Sequence, residues 1–546
     1  MYQLDRNANI GYACYENDSN IVEQISVVFP VFFLLVAILV CMTTMTRMVD
    51  ECRGQIGVFK ALGYSNARIQ SKFLVYSGSA ALLGWLIGYF AGTLIIPEII
   101  WSVYNIMYDF APLEHVFDPI MFILCLAAAL LCSCGAAYAT CLSELRPVPA
   151  ALIRPKTAKE GKKVWIEKIP FIWKHLDFLK KVSARNIFRY KNRLFMMIVG
   201  IGGCTALLIT GFGIRDSIKD VAALQFNEIM QYDISLSVSD GKKAYSNVSS
   251  VDGTEKVLKV LSEADDAIKD SEQKSINLLV SENGNFDGFV SFALNGKPVS
   301  EPKKDEAIIS TSVASVLSAK VGDEITLRNG NYNEIKVRVS GIFDNYLYNY
   351  AVISAETYSS GFGKEPEINT LYVNVSENAD IRDVSAKVGS CDGVTAVTVN
   401  KDLVTRVSST MNSLNYIVLL VLVCAAALAF IVIYNLTNIN IEERIREIAT
   451  IKVLGFRKRE VSAYVMREIV VLTAFGAVIG LPAGKLLHTF VMSCINVDQV
   501  TFQNKITPLS YILSLALTFV FALTVNIFMS KRLDKIDMAT SLKSIE

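Results

Sequence analysis

Seven long apolar runs in one chain leave little choice of fold. They fall at about 24–46, 74–96, 119–141, 195–214, 414–437, 468–490 and 508–529. Each is close to the ~20 residues a helix needs to cross a hydrocarbon core. Backbone polar groups in a bilayer must satisfy one another, so such runs are expected to be helices. A polar stretch, 215–413, separates the fourth run from the fifth. The expected fold is a polytopic α-helical membrane protein of about seven transmembrane helices, with the bilayer as one partner and one large aqueous domain. The net charge of +1 argues against nucleic acid as a partner, because dedicated binders are strongly basic.

Lys and Arg mark the cytoplasmic side of a membrane protein. Arg47, Arg53, Lys60, Arg68 and Lys72 follow the first run, and segments 142–194 and 438–464 are also basic. Segment 97–117 has no Lys or Arg, and 491–506 has only Lys505. The alternation puts the large domain outside and the C-terminus in the cytoplasm. Residues 1–23 then lie outside and read as the tail of an outer segment.

An internal repeat supports that reading. DECRGQIGVFKALGYSNARIQ from Asp50 aligns without a gap on EERIREIATIKVLGFRKREVS from Glu442, an offset of 392. Gly84, Gly88 and Gly92 fall on Gly476, Gly480 and Gly484. The repeated unit is span, cytoplasmic loop, span, outer loop, span, and both copies have one orientation. Each glycine stripe is expected to let another helix approach closely. The second copy is preceded by a basic amphipathic stretch at 173–193, span four and the outer domain. The first has no such lead-in, so a chain truncated at its N-terminus is expected.

In the loops, Ile56, Phe59 and Leu62 match Ile448, Ile451 and Leu454 as an apolar stripe on a short helix. Gly63 and Gly455 are placed to end those helices, and Ser65 to begin the next. Glu443 and Glu447 stand among basic residues, and mixed charge favours a protein partner over the bilayer surface.

In the outer domain, 215–230 and 401–413 read as stalk helices. Glu324–Arg328 and Ile335–Val339 flank Asn329-Gly330-Asn331 as a hairpin. Leu371–Val375 and Ala396–Val399 read as strands, and 254–262 and 381–388 as helices, giving an α+β domain. Tyr346, Tyr348 and Tyr350 read as exposed, either lining a binding surface or packing on an edge strand.

The sequence offers no energy source. GLPAGKL at 480–486 is one residue short of a phosphate loop and lacks its Ser or Thr. The spans carry essentially no charged groups for ion coupling. There is no nucleophile–base constellation and no metal-ligand cluster, so neither enzyme activity nor a cofactor is expected.

EERIREIATIKVLGF and its weaker copy ECRGQIGVFKALGY resemble the FtsX-like (MacB-type) permease domain of bacterial ABC transporters. SARNIFRYKNRLFMMIVGIGG, VGDEITL and VSGIFDNY are similar to it as well. The resemblance is greatest to the long two-unit permeases of Gram-positive bacteria. It implies a bacterial plasma-membrane protein with a first permease unit at 24–153, a basic linker at 154–194, span four at 195–214, a MacB-like outer domain at 215–413 and a second unit at 414–546. It also implies a separate cytoplasmic ATPase dimer that drives export or extraction of a peptide, lipid-linked or drug-like substrate. The alternative is a regulator whose outer domain activates a cell-wall hydrolase or senses a peptide without transport. An extracytoplasmic protein or peptide partner fits either. Carried over, Glu51, Lys60 and Gly63 match Glu443, Lys452 and Gly455 as ATPase-coupling segments. Gly54 weakens the first helix by up to ~1 kcal/mol, so the two loops are expected to couple unequally.

Overall fold

The structure, a computed structural model, describes residues 10–105, 112–153, 181, 185, 191–282, 284–495 and 500–534. Most of the linker 154–194, including nearly all of the amphipathic stretch, lies outside the described residues. Seven described helices are long and apolar enough to cross a membrane: Phe29–Glu51, Asn66–Ser102, Pro119–Ser143, Leu194–Ile229, Asn415–Glu443, Glu460–Cys494 and Pro508–Lys531. The segment read as an outer tail is helical from Ile10 and runs unbroken into span one.

The chain divides into two compact units. One comprises Val22–Asp216, Tyr416–Ile495 and Lys505–Glu546, and the other Met1–Ile21, Ser217–Asn415 and Asn496–Asn504. In the first, the main core is built from spans four to seven. Ile201, Leu208, Val432, Ile469 and Val525 are buried there, with Phe33 and Val36 of span one packed against it. Spans two and three meet through Ser77, whose hydroxyl lies 2.6 Å from that of Ser133, and through Trp85 on Phe122.

The other unit holds a nine-stranded sheet in the order β11-β1-β10-β2-β3-β9-β6-β8-β7. The strands are β1 (Ile234–Val238), β2 (Thr254–Lys269), β3 (Glu272–Ser281), β4 (Ala293–Leu294), β5 (Lys297–Pro298), β6 (Glu306–Ser310), β7 (Glu324–Arg328), β8 (Glu334–Phe343), β9 (Tyr350–Ser354), β10 (Thr370–Val375) and β11 (Val394–Val399), of which β4 and β5 form a separate pair. β11, β1, β10 and β2 with helices Gly241–Ser249 and Ile381–Gly389 have the order of a split βαβ motif. β7 also pairs with β2, which closes β2, β3, β9, β6, β8 and β7 into a ring. The ring and the split motif have separate cores.

The expected hairpin is present, with Leu327 opposite Ile335. The helix expected at 254–262 is instead part of β2. Val257, Leu258, Val260 and Leu261 have helix-like spacing, but β2 is paired on both edges, by β10 and β3, and sheet pairing overrides the local pattern. Of the three tyrosines read as exposed, Tyr346 is buried and Tyr350 half-buried; Tyr348 alone is open.

Candidate functional site: two loop helices and their anchors

Each loop folds as helix, break, helix. The loop helices run Arg53–Ala61 and Ile445–Val453, the first straight through Gly54. Gly63 and Gly455 sit at φ +88° and +87°, a left-handed conformation that glycine adopts without steric cost. Asn66 opens the next helix after Ser65, whose hydroxyl accepts the Arg68 N–H at 3.4 Å.

The apolar stripe does not lie on one surface. Ile56 and Ile448 are buried, and Ile451 packs against the core. Phe59, Leu62 and Leu454 are exposed, at 39%, 69% and 71%. The rear of each helix is therefore anchored, and its tip presents an apolar knuckle. Phe59 stacks edge-on against Tyr64 at the first knuckle, and Val453 and Phe456 extend the second.

Lys60 and Lys452 turn inward. Lys60 donates to the carbonyls of Leu145 and Pro147, just past the end of span three. Lys452 donates to the Leu533 carbonyl at 2.6 Å, at the end of span seven. The last carbonyls of a helix have no partner of their own, and a cation there also answers the helix dipole. Each lysine thus ties a loop helix to the third span of its repeat. At the other end of span seven, the Asp216 carboxylate accepts from the Thr507 N–H (2.9 Å) and from the hydroxyls of Thr507 (2.7 Å) and Ser510 (2.6 Å).

The second loop has a further anchor. The Arg444 guanidinium, 2% exposed, donates to Glu447 at 3.0 Å, to Tyr464 at 2.6 Å and to the fully buried Glu468. Glu468 lies inside the span Glu460–Cys494, so the expectation of essentially uncharged spans fails there. Positions equivalent to Arg444, Glu447, Tyr464 and Glu468 are Cys52, Gln55, Lys72 and Tyr76. Without the guanidinium, the first loop leaves a cavity of about 220 Å³ lined by Cys52, Gln55, Ile56, Phe59 and Lys72 among others. Glu51 pairs with Arg47 at 2.8 Å on the surface, and Glu443 is exposed.

The glycine stripes differ too. A Cβ on Gly476, Gly480 or Gly484 would lie within 3 Å of Ile201, Thr205 and Ile209 of span four respectively. A Cβ on Gly84, Gly88 or Gly92 would meet nothing within 4 Å.

In the sheet unit, the helix continuing from span four ends in a π-helix, Leu224–Ile229. Gln225, fully buried there, accepts the N–H groups of Tyr346 (2.9 Å) and Leu347 (3.1 Å) and donates to Asn345 at 2.9 Å. Asn400, first residue of the helix that leads into span five, donates to the carbonyls of Phe226, Met230 and Tyr232. Thr501 and Gln503 bond the Tyr346 carbonyl and hydroxyl.

A model described as "FtsX-like permease C-terminal" matches residues 27–146 and 419–538, and one described as "MacB-like periplasmic core domain" matches 194–390. The chain belongs to the FtsX-like, MacB-type ABC transporter permeases. An uncharacterized ABC transporter permease of Methanocaldococcus jannaschii is 26% identical to this permease over 174 residues, 31% of this chain and 43% of that relative. The chain thus matches less than half of that relative's length. Among solved structures, the extracellular domain of the noncanonic ABC-type transporter YknZ from Gram-positive bacteria is 16% identical, with a TM-score of 0.23, covering 31% of this chain and 98% of that one. The periplasmic region of MacB from Actinobacillus actinomycetemcomitans is 10% identical, with a TM-score of 0.25, covering 33% and 93%.

Within the permease, the thirteen positions read as ATPase-coupling fall into three kinds of place. Ile56, Ile448 and Ile451 pack inward; Lys60 and Lys452 bond the ends of spans three and seven, while Glu447 pairs with Arg444 at the start of its own helix; Phe59, Leu62, Gly63, Leu454 and Gly455 form the tips, with Glu51 and Glu443 on the surface. Sequence reasoning missed Arg444, Tyr464, Glu468, Asp216, Gln225 and Asn400. The signal for Arg444 and Glu468 was available: an arginine in one repeat stands where the other has cysteine, with a glutamate entering an apolar run.

Proposed function

We propose that this permease transmits motion. A separate cytoplasmic ATPase dimer docks on the knuckles at Phe59–Leu62 and Val453–Leu454, and its closure moves the loop helices. Lys60 and Lys452 pass that movement to spans three and seven. The sheet domain, on the outer side, changes shape in response, and this drives export or extraction of a peptide, lipid-linked or drug-like substrate. Lys and Arg in the loops support the orientation, with the loops and C-terminus inside.

The observation that carries this reading is the contrast along each loop helix. Its rear is buried or hydrogen-bonded to the spans, while its tip exposes large apolar side chains. An exposed apolar tip on a rigid mount is a surface for a partner groove. The test is copurification. The wild type retains the ATPase in mild detergent, and Leu62→Asp/Leu454→Asp loses it while remaining inserted. Equal retention by the variant contradicts the docking site.

A further inference from the structure

The ring of the sheet domain holds a feature that lever action does not use. Alternate residues of β2 face the ring's interior, where Leu261 and Ala267 are buried in its core. Between them on that face stand Glu263 and Asp265, two carboxylates where the core pattern calls for apolar side chains. Asp265 is 4% exposed, and its Oδ2 has no hydrogen-bond partner among the described residues. Glu263 is fixed by the buried Tyr358, whose hydroxyl donates to its Oε2 at 3.0 Å. Both carboxylates line a cavity of about 340 Å³ together with Asn329, Gly330, Asn331 and Lys364. The Asn329 side chain accepts the Asn331 and Asn333 N–H groups at 3.0 Å each, which holds the turn at the cavity's edge.

A buried carboxylate without a donor is costly unless it is neutralised or paired. Here the unpartnered oxygen belongs to a residue that lines an open polar cavity. We propose that the cavity binds the amine of a peptide, a lysine side chain or an N-terminus, with Asp265 and Glu263 as counter-ions and the Asn331 and Gly330 rim meeting the adjacent amide backbone. A monovalent ammonium fits better than a bare dication. Calcium takes six to eight oxygens, Lys364 repels a double charge more strongly, and no cluster of three metal-ligating acids, histidines or cysteines occurs among the described residues. The proposal concerns this chain alone and stands whether or not an ATPase docks on the loops.

The test is calorimetric titration of the full chain in detergent at pH 8 with tri-lysine, with tri-lysine acetylated at every amine, and with calcium chloride. Tri-lysine binds and the acetylated form does not. Asp265→Asn, which keeps the shape, weakens binding at least about tenfold, as expected for loss of a charged hydrogen bond. Lys364→Ala tightens it. If Asp265→Asn fails to fold, Glu263→Gln serves in its place, with the same weakening expected. Absence of tri-lysine binding, equal binding by the folded acid variant, or calcium binding that depends on Asp265 overturns the proposal.

Discussion

Glu468 and Asp265 are both buried carboxylates, and their surroundings set opposite consequences. Glu468 is paired with Arg444, so removing either partner strands a buried charge. Glu468→Ala is expected to cost about 3–5 kcal/mol, and Arg444→Met/Glu468→Leu much less, because the double change leaves no buried charge behind, Glu447 being partly exposed to solvent. Chemical denaturation in detergent measures both. Asp265 has no such partner. Burial first, then repulsion from Glu263 and Asp266, raises its pKa from 3.8 to about 7, with Lys364 acting against the rise. The folded state therefore binds more protons than the unfolded state between about pH 4 and pH 7, and stability falls as pH rises through that window. Asp265→Asn abolishes this contribution. Its melting temperature relative to wild type should rise from pH 5 to pH 8, and a constant difference would refute the assignment. Comparison of the repeats flags Arg444 and Glu468, but neither their pairing nor the burial of Asp265 was legible in the sequence, because both are set by tertiary packing. Lys60 and Lys452 were picked out by the repeat, but only the fold shows that they grip carbonyls rather than face a partner.

At the scale of elements, local periodicity was a good guide where one face of an element is buried. It located both loop helices, their glycine ends, the hairpin at Asn329–Asn331 and the strands at 371–375 and 396–399. It misread β2, where a helix-like pattern met pairing on two edges. The glycine stripes show a second limit. Two equal sequence patterns have unequal surroundings, and only the stripe of span six lies against span four. Gly480→Leu is expected to destabilise the protein clearly, since its first added carbon already meets Gly202 O at 2.8 Å, whereas Gly88→Leu should leave the melting temperature of the isolated chain within a degree or so, by analogy with other open sites. The π-helix gives another prediction. Gln225→Leu strands the Tyr346 and Leu347 N–H groups and should cost about 1–3 kcal/mol for each donor left unpaired. Loss of hydrogen-exchange protection at residues 345–347 would report it.

For the whole molecule, the sequence disclosed seven spans, the duplication and an α+β domain, because those features repeat or run long. It did not disclose how differently the two halves are braced. The second loop is locked by Arg444, Tyr464 and Glu468; the first has a cavity at the same place and Cys52 instead of the arginine. The halves are expected to respond unequally to one push. The most direct measurement of that push is ATP hydrolysis by the reconstituted permease–ATPase complex, read together with a distance between spin labels on β7 and β11 of the sheet domain. Wild type should show a nucleotide-dependent distance change, and Lys452→Met, which keeps the knuckle but releases span seven, should hydrolyse ATP with that change reduced or lost. A full distance change in Lys452→Met, or one in the permease alone without the ATPase, would contradict the account.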